Sequence, residues 1–289
     1  MSRSMTDVHL RFHIAGLACF VAAVSYLAAK LGGALMLRPQ MVWPLWPGCA
    51  LLVAVLVLVP RKVWPMLIAA GLAGFVLYDL QTGLPIRSII LLILSDAIEI
   101  LIATQGVSYS VEGEPRLNSL RAQSRYLFFA VILAPISNAF VGAFAFGGDY
   151  WTSWRICFFT EALALLTVTP AILSWASAGS VRAQKSRAYY FEALALIASL
   201  VSLGYITFAA SKGTSPVLLY SLVPFLLWSA LRFGLIGIST SMVVVAFLSI
   251  WGTIHGRGPL LDQTPSTTCS RYSCSSCFPR PLSWSLQPL

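Results

Sequence analysis

The chain consists of long apolar runs separated by short polar connectors that hold most of its basic residues. The runs that are long enough to be candidate membrane-spanning helices cover residues 14–31, 43–59, 63–79, 86–106, 126–146, 155–175, 191–210, 214–231 and 233–252. A helix crosses a bilayer with about 20 apolar residues, whereas the strands of a membrane barrel are about 10 residues long and alternate. We therefore predict an all-α polytopic bundle with about nine spans.

Composition supports a membrane protein. Of the 289 residues, 58% are hydrophobic and only 10% are charged, which is more apolar surface than a soluble domain of this size buries. The net charge of +9 is not a nucleic-acid signal, because the basic residues lie in connectors. We expect the lipid bilayer to be a partner and nucleic acid not to be one.

The distribution of basic residues predicts the orientation in the membrane. One set of alternate connectors contains Arg3, Arg11, Arg61, Lys62, Arg116, Arg121, Arg125, Arg182, Lys185, Arg187 and Arg232. The opposite set is smaller, with Lys30, Arg38, Arg87, Arg155, Lys212 and Arg257. Because Lys and Arg accumulate on the cytoplasmic side, we predict a cytoplasmic N-terminus and an inner-membrane location.

The last two apolar runs are separated by a single charged residue, Arg232. If both runs cross the membrane, Arg232 lies in the tight turn between them, where its guanidinium can reach lipid phosphate or a carboxylate. The second run ends in the Gly- and Pro-rich segment 255–259, which cannot continue a helix.

Acidic residues inside the apolar runs are candidate site residues. Asp96 and Glu99 are three positions apart, so they lie on one face of the fourth predicted helix, and Glu161 lies in the sixth. Carboxylates at membrane depth should face the bundle interior, either as a ligand or signal site or as polar contacts between helices. Asn138 follows Pro135 in the fifth run, and kinked helices beside buried acids could form a pocket.

Two indoles open the second run, in the segment 42–48 (VWPLWPG). Trp43 and Trp46 fit an interfacial aromatic belt, because Trp is enriched where the membrane meets water. They also fit the aromatic mouth of a ligand pocket. The pattern leaves both interpretations open.

Several short motifs together resemble the first type of membrane-associated sensor domain (MASE type one), from about Ile14 to Pro265. The motifs are 42–48 (VWPLWPG), 96–99 (DAIE), 161–163 (EAL), 169–170 (TP), 228–234 (WSALRFG) and 255–259 (HGRGP). In that family the sensor precedes a cytoplasmic output domain such as a diguanylate cyclase, a cyclic-di-nucleotide phosphodiesterase or a histidine kinase. The resemblance implies sensing and signal transduction, with the output domain missing from this chain.

We expect the chain not to be an enzyme, because no nucleophile-and-base set or phosphate-binding loop is recognisable. We also predict no cofactor and no metal site. An ion-coupled transporter is the main alternative function, since buried acids beside kinked helices suit coupling ions, and a structural assembly module is a second alternative. Candidate partners are an unknown small ligand, the output domain and a second copy of the chain.

The composition changes after Pro265, where residues 266–289 are rich in Ser, Pro and Cys and contain no acid. We divide the chain into a membrane domain, 1–265, and a tail, 266–289. Nine crossings would leave the C-terminus outside, although a sensor with a cytoplasmic output needs an even number. We therefore expect the tail to be a disordered, out-of-frame or truncated end.

Overall fold

The computed structural model describes residues 2–36, 43–108, 119–178, 186–208 and 216–257, and every regular element among them is helical. The α-helices are α1 (Ser2–Ala34), α2 (Pro47–Leu58), α3 (Trp64–Thr82), α4 (Ile86–Ser108), α5 (Leu120–Tyr126), α6 (Ala134–Gly142), α7 (Tyr150–Ala178), α8 (Arg187–Phe208) and α9 (Val223–Ile254). Shorter helical turns cover Arg61–Val63, Ala143–Ala145 and Pro216–Leu222, and a π-helical segment, Leu127–Leu133, joins α5 to α6. The all-α prediction is confirmed for the described residues.

Six helical segments of the described chain are long and apolar enough to cross a membrane. They are Ala15–Ala34, Arg61–Thr82, Leu120–Ala145, Tyr150–Ser177, Arg187–Phe208 and Leu218–Ile254. The predicted count of about nine spans is therefore not confirmed.

The difference has identifiable physical causes. The second apolar run forms only a 12-residue helix, α2, because the backbone before Pro47 is extended and Val59 leaves the helix before Pro60. Such a helix is about 18 Å long and shorter than the hydrocarbon core. Helix α4 is 23 residues long and contains three charged residues, Arg87, Asp96 and Glu99, and it is not among the six.

Helix α9 is a hairpin of two helical limbs and not one straight rod. Gly234 has φ 63° and ψ −146°, values that a helix does not contain. The Ser229 and Ser241 hydroxyl oxygens are 2.9 Å apart, whereas a continuous helix would separate residues twelve positions apart by about 18 Å. The chain thus reverses direction at Gly234, two residues after the predicted turn residue Arg232.

Glycine allows the closest helix contacts in the bundle. A Cβ atom at Gly74 of α3 would lie 2.5 Å from the Ala22 carbonyl oxygen of α1, and one at Gly252 would overlap the Phe208 carbonyl oxygen of α8. Small residues at helix interfaces let backbones approach, which is the usual packing device in membranes. The central core lies among α1, α2, α3, α4 and α7 and includes Leu52, Leu67 and Phe75.

Pro135 and Pro170 lie within two of the six apolar segments. The Leu127–Leu133 segment has π-helical geometry just before Pro135, and Pro170 lies inside α7. Thr169, next to Pro170, donates a hydrogen bond of 2.8 Å to the Ala50 carbonyl of α2. This bond ties α7 to the short helix α2 near the middle of the bundle.

Asp149 caps the start of α7. Its carboxylate accepts a hydrogen bond of 2.7 Å from the Thr152 backbone N–H, and the contacts of Thr152 hold the pKa of Asp149 below its ordinary value. The predicted tail, 266–289, and most of the connector that follows α4 lie outside the described residues.

Candidate functional site

The predicted intramembrane acids face the interior of the bundle. Asp96 and Glu99 lie on the same face of α4 and expose 7% and 0% of their surface, and Glu161 of α7 exposes 6%. Glu161 lies beside Asp96 and Glu99, because the carboxylate oxygens of the three residues are within 4.8 Å of one another. The prediction that Glu99 and Glu161 point inward is confirmed.

Asn138 of α6 reaches the same cluster. Its side-chain amide donates a hydrogen bond of 3.2 Å to Asp96 Oδ1, and both side chains are buried. The hydrogen bond fixes one carboxylate oxygen of Asp96. Four of the five predicted ligand-site residues therefore meet at one place.

A cavity of about 410 Å³ opens above these acids. Its described lining consists of Gly33, Met36, Trp43, Trp46, Tyr78, Asp79, Thr82, Leu84, Leu92, Asp96, Asn138, Phe146, Ile156, Cys157, Thr160 and Glu161. Apolar walls with a few convergent polar groups are typical of small-molecule sites. The volume suits a small solute.

Both predicted indoles line this cavity. Trp46 packs on the rings of Phe75 and Tyr78, with centroids 6.3 and 5.9 Å away, and Trp43 packs on Phe146 at 5.4 Å. The Trp43 carbonyl also accepts a hydrogen bond from the Thr160 hydroxyl of α7. The indoles are thus held in place by α3 and α7 beside the cavity, which is more than an interfacial belt requires.

The cavity lies at the end of the bundle where α1 and α3 finish and where α2, α4 and α7 begin. Asp79, near the end of α3, is 5% exposed and lines it as well. Asp79 is the last residue of the third predicted run, 63–79, and the hydropathy pattern gives no sign that it belongs to a site. In the structure it is part of the cavity wall and adds a fourth acid to this part of the bundle.

The site is strongly acidic. Every Lys and Arg side chain whose exposure is described is exposed, and none lines the cavity. Carboxylates buried this close together cannot all be ionised without a compensating positive charge. The cavity is therefore suited to a cation or to protons and unsuited to an anion.

Cys49 of α2 completes the acidic cluster. Its sulfur and the carboxylates of Asp96, Glu99 and Glu161 all lie within 4.8 Å of one another, and all four residues are buried. The sequence pattern predicts only a small core residue at Cys49 and no metal site. The apolar neighbours of Cys49 in α2 give no local signal that it faces acids from α4 and α7.

Arg232 is not part of this site. It lies beside the reversal in α9, it is half exposed, and its Nε donates to the Glu192 carboxylate of α8. The prediction of an anchor bonded to a carboxylate of another helix matches this contact. Its assignment to the ligand-site group does not match, because Arg232 is absent from the described cavity lining.

These features define a multi-pass helical membrane domain with an acidic cavity between its helices. A family model, MASE1, matches residues 17–270, which is most of the chain. The chain therefore belongs to MASE1, a family of membrane-associated sensor domains. Comparison with curated proteins and with solved structures finds no match.

Proposed function

We propose that this domain is a sensor that binds a small cationic solute in the cavity and passes the binding event through α7 to a cytoplasmic output domain. The carrying observation is the combination of an aromatic mouth, Trp43 and Trp46, with a floor containing Asp96 and Glu161. Rings attract cations through their faces, and carboxylates neutralise them. Membership in a sensor-domain family supports a sensory role for such a pocket.

Helix α7 connects the cavity to the opposite end of the bundle. Glu161 lies at the cavity floor, and Ser174, about 20 Å further along the helix, shares a hydrogen bond of 3.0 Å with Ser239 in the second limb of α9. The next residue, Trp175, donates to the Thr240 hydroxyl at 2.9 Å. A shift of α7 on ligand binding would therefore move the α9 hairpin, with Pro170 as a flexible point between.

The positive-inside bias supports one orientation for this mechanism. With a cytoplasmic N-terminus, α1 and α3 end on the outer side, so the cavity opens away from the cytoplasm. The turn of α9 with Arg232 then faces the cytoplasm. In this arrangement the inner-membrane sensor takes its ligand from outside and presents the α9 turn to an output domain, either a cyclic-di-nucleotide enzyme or a histidine kinase.

Cys157 provides a direct test of the cavity and its orientation, because it lines the cavity and is half buried. We would treat right-side-out and inverted vesicles with a small membrane-impermeant, positively charged thiol reagent and read each cysteine by peptide mass spectrometry. We expect Cys157 to react only in right-side-out vesicles, and small amines that bind to slow its reaction. Cys157→Ser is the control for assignment, and buried Cys49 should react much more slowly.

The outcome also separates sensing from transport. Reaction of Cys157 from both faces, with the accessible face changing when a solute gradient is applied, would favour an ion-coupled transporter. If Cys157 reacts from neither face and no cationic solute raises the thermal stability of the full chain, the cavity is not a ligand site.

A further inference from the structure

Four potential metal ligands from three helices converge below the cavity. Cys49 comes from α2, Asp96 and Glu99 from α4, and Glu161 from α7. Their sulfur and oxygen donors all lie within 4.8 Å of one another. In a four-coordinate zinc site with bonds of about 2.0–2.3 Å, the donors are separated by roughly 3.3–3.8 Å. Side-chain movements that bring the donor atoms about 1 Å closer together would give the spacing of a zinc site.

The carboxylates of this cluster are short of partners. Both oxygens of Glu99 and the Oε2 atom of Glu161 are buried without a hydrogen bond, and the Glu99 side chain has no exposed surface. A buried polar group without a partner costs about 1–3 kcal/mol, and a charged group costs more. The unpartnered atoms belong to the same side chains that supply donors, so one bound ion would satisfy them together.

Positive charge for the cluster must come from a bound species. The Lys and Arg side chains whose exposure is described are all exposed, and the Asn138 amide that donates to Asp96 is neutral. Both oxygens of Glu99 lack a hydrogen-bond partner at the centre of this cluster, where a bound cation would contact them. A shared cation explains both the convergence and the unmade hydrogen bonds.

The donor set indicates which ion. A thiolate among carboxylates suits a borderline metal such as Zn²⁺, whereas Mg²⁺ and Ca²⁺ take oxygen ligands and Cu⁺ prefers sulfur alone. Binding would release the Cys49 proton, because the thiolate is the ligand. Asn138 would orient Asp96 from outside the coordination sphere, as hydrogen-bonded partners do at metal sites.

We propose that Cys49, Asp96, Glu99 and Glu161 form a buried site for a single Zn²⁺ ion at the floor of the cavity. Asp96 and Glu161 also line the cavity, so an ion can enter through it. The inference deepens the proposed function by naming the cation that the floor takes. The metal site rests on the proposed function only in its use of the cavity as the route by which the ion enters. Zinc binding itself is measured without any signalling readout.

The test uses the full chain in lipid nanodiscs, with Cys269→Ser, Cys274→Ser and Cys277→Ser introduced so that the tail cannot bind metal. After chelation, reloading with zinc chloride should give one Zn²⁺ per chain by elemental analysis and a higher melting temperature. Reloading with Co²⁺ should produce a thiolate-to-metal charge-transfer band. Absence of bound metal, or a Co²⁺ complex without that band, would overturn the proposal.

Variants then assign the ligands. Cys49→Ser should abolish the charge-transfer band, whereas Cys157→Ser, a cysteine of the cavity wall outside the cluster, should keep it. Glu99→Gln should weaken Zn²⁺ binding by at least about tenfold, and Glu192→Gln, which removes an exposed acid of α8, should leave it unchanged. Equal zinc affinity in Glu99→Gln and the parent would contradict the site.

The two proposals fail in different ways. If Cys157 is accessible from outside but the chain binds no Zn²⁺, the cavity function survives and the metal site is wrong. If Zn²⁺ binds stoichiometrically but no solute protects Cys157, the metal site stands and the organic-cation function is wrong.

Discussion

The Ser241 hydroxyl donates a hydrogen bond of 2.9 Å to the Ser229 hydroxyl oxygen, although the two serines are twelve positions apart in the sequence. Both side chains are buried. The contact places the two limbs of α9 side by side, with the reversal at Gly234. The segment Leu218–Ile254, the longest of the six apolar segments in the described chain, therefore contains two antiparallel helical limbs.

A cysteine pair tests this reversal. In the double variant Ser229→Cys/Ser241→Cys we expect an intramolecular disulfide on mild oxidation, because the two Oγ atoms are already in contact across the hairpin. Mass spectrometry of the linked peptides would detect it. The pair Ser229→Cys/Ser249→Cys is the control and should not link, since Ser249 lies about 12 Å further along the second limb. If the first double variant also stays unlinked under the same oxidation, α9 is continuous.

Gly234 should be the least replaceable residue of the turn. Its backbone conformation is one that residues with a Cβ atom rarely adopt, while the space around it is open. We therefore expect Gly234→Ala to destabilise the protein by about 1–3 kcal/mol through backbone strain alone.

The control is Gly16→Ala in α1, where an added Cβ also meets no atom and the backbone is helical. Chemical unfolding in a fixed detergent should show this variant to be as stable as the parent or slightly more stable. If Gly234→Ala unfolds at the same denaturant concentration as Gly16→Ala, the strain argument is incorrect.

Gly74 sets the distance between α1 and α3. An added Cβ would lie 2.5 Å from the Ala22 carbonyl oxygen, a backbone atom that can move only with its helix. At Gly71, three residues earlier, the added atom would meet the flexible end of Leu52 instead. We expect Gly74→Ala to lower stability by about 1–3 kcal/mol and Gly71→Ala to cost less, as read from their melting temperatures. The reverse order would argue against tight packing of these helices.

Asn138 should stabilise the protein through Asp96. Replacing it by Ala leaves the buried Asp96 carboxyl without its 3.2 Å hydrogen bond, which should cost about 1–3 kcal/mol. The matched control is the adjacent Ser137→Ala, because the Ser137 hydroxyl donates to the Leu133 carbonyl one turn earlier in the same helical segment and its loss should be nearly neutral. Thermal unfolding in metal-free buffer distinguishes them. Equal melting temperatures would show that the Asn138 contact is energetically unimportant.

The local pattern of the sequence was sufficient for much of this site. Three-residue spacing puts Asp96 and Glu99 on one helix face, and the cost of a carboxylate in lipid turns that face inward. The same argument applies to Glu161. The inward orientation of these three side chains could be predicted, because it depends only on the helix that contains each residue and on the cost of exposing a carboxylate to lipid.

Contacts between helices could not be predicted in this way. Cys49 has the same apolar neighbours as any core cysteine, and only the packing of α2 against α4 and α7 places its sulfur among acids. The third predicted run ends at Asp79, while α3 continues to Thr82, so the pattern gives no sign that Asp79 lines the cavity. Hydropathy marks where a helix stops being apolar, and the helical backbone continues beyond that point.

Arg232 and Glu192 provide the last prediction, at the end of the bundle opposite the cavity. Their side chains are 49% and 39% exposed, so the ion pair itself should stabilise the fold only slightly. The positive charge should matter more, because it interrupts the apolar stretch beside the reversal and, in the orientation proposed above, lies on the cytoplasmic side of the turn. Arg232→Leu should therefore reduce the yield of correctly folded protein much more than Glu192→Gln, which removes the ion pair and keeps the positive charge of Arg232.

Arg232→Lys should behave like the parent. Folded yield by size-exclusion chromatography and the vesicle labelling of Cys157 would measure both effects, and equal yields for Arg232→Leu and Glu192→Gln would show that the charge has no topological role.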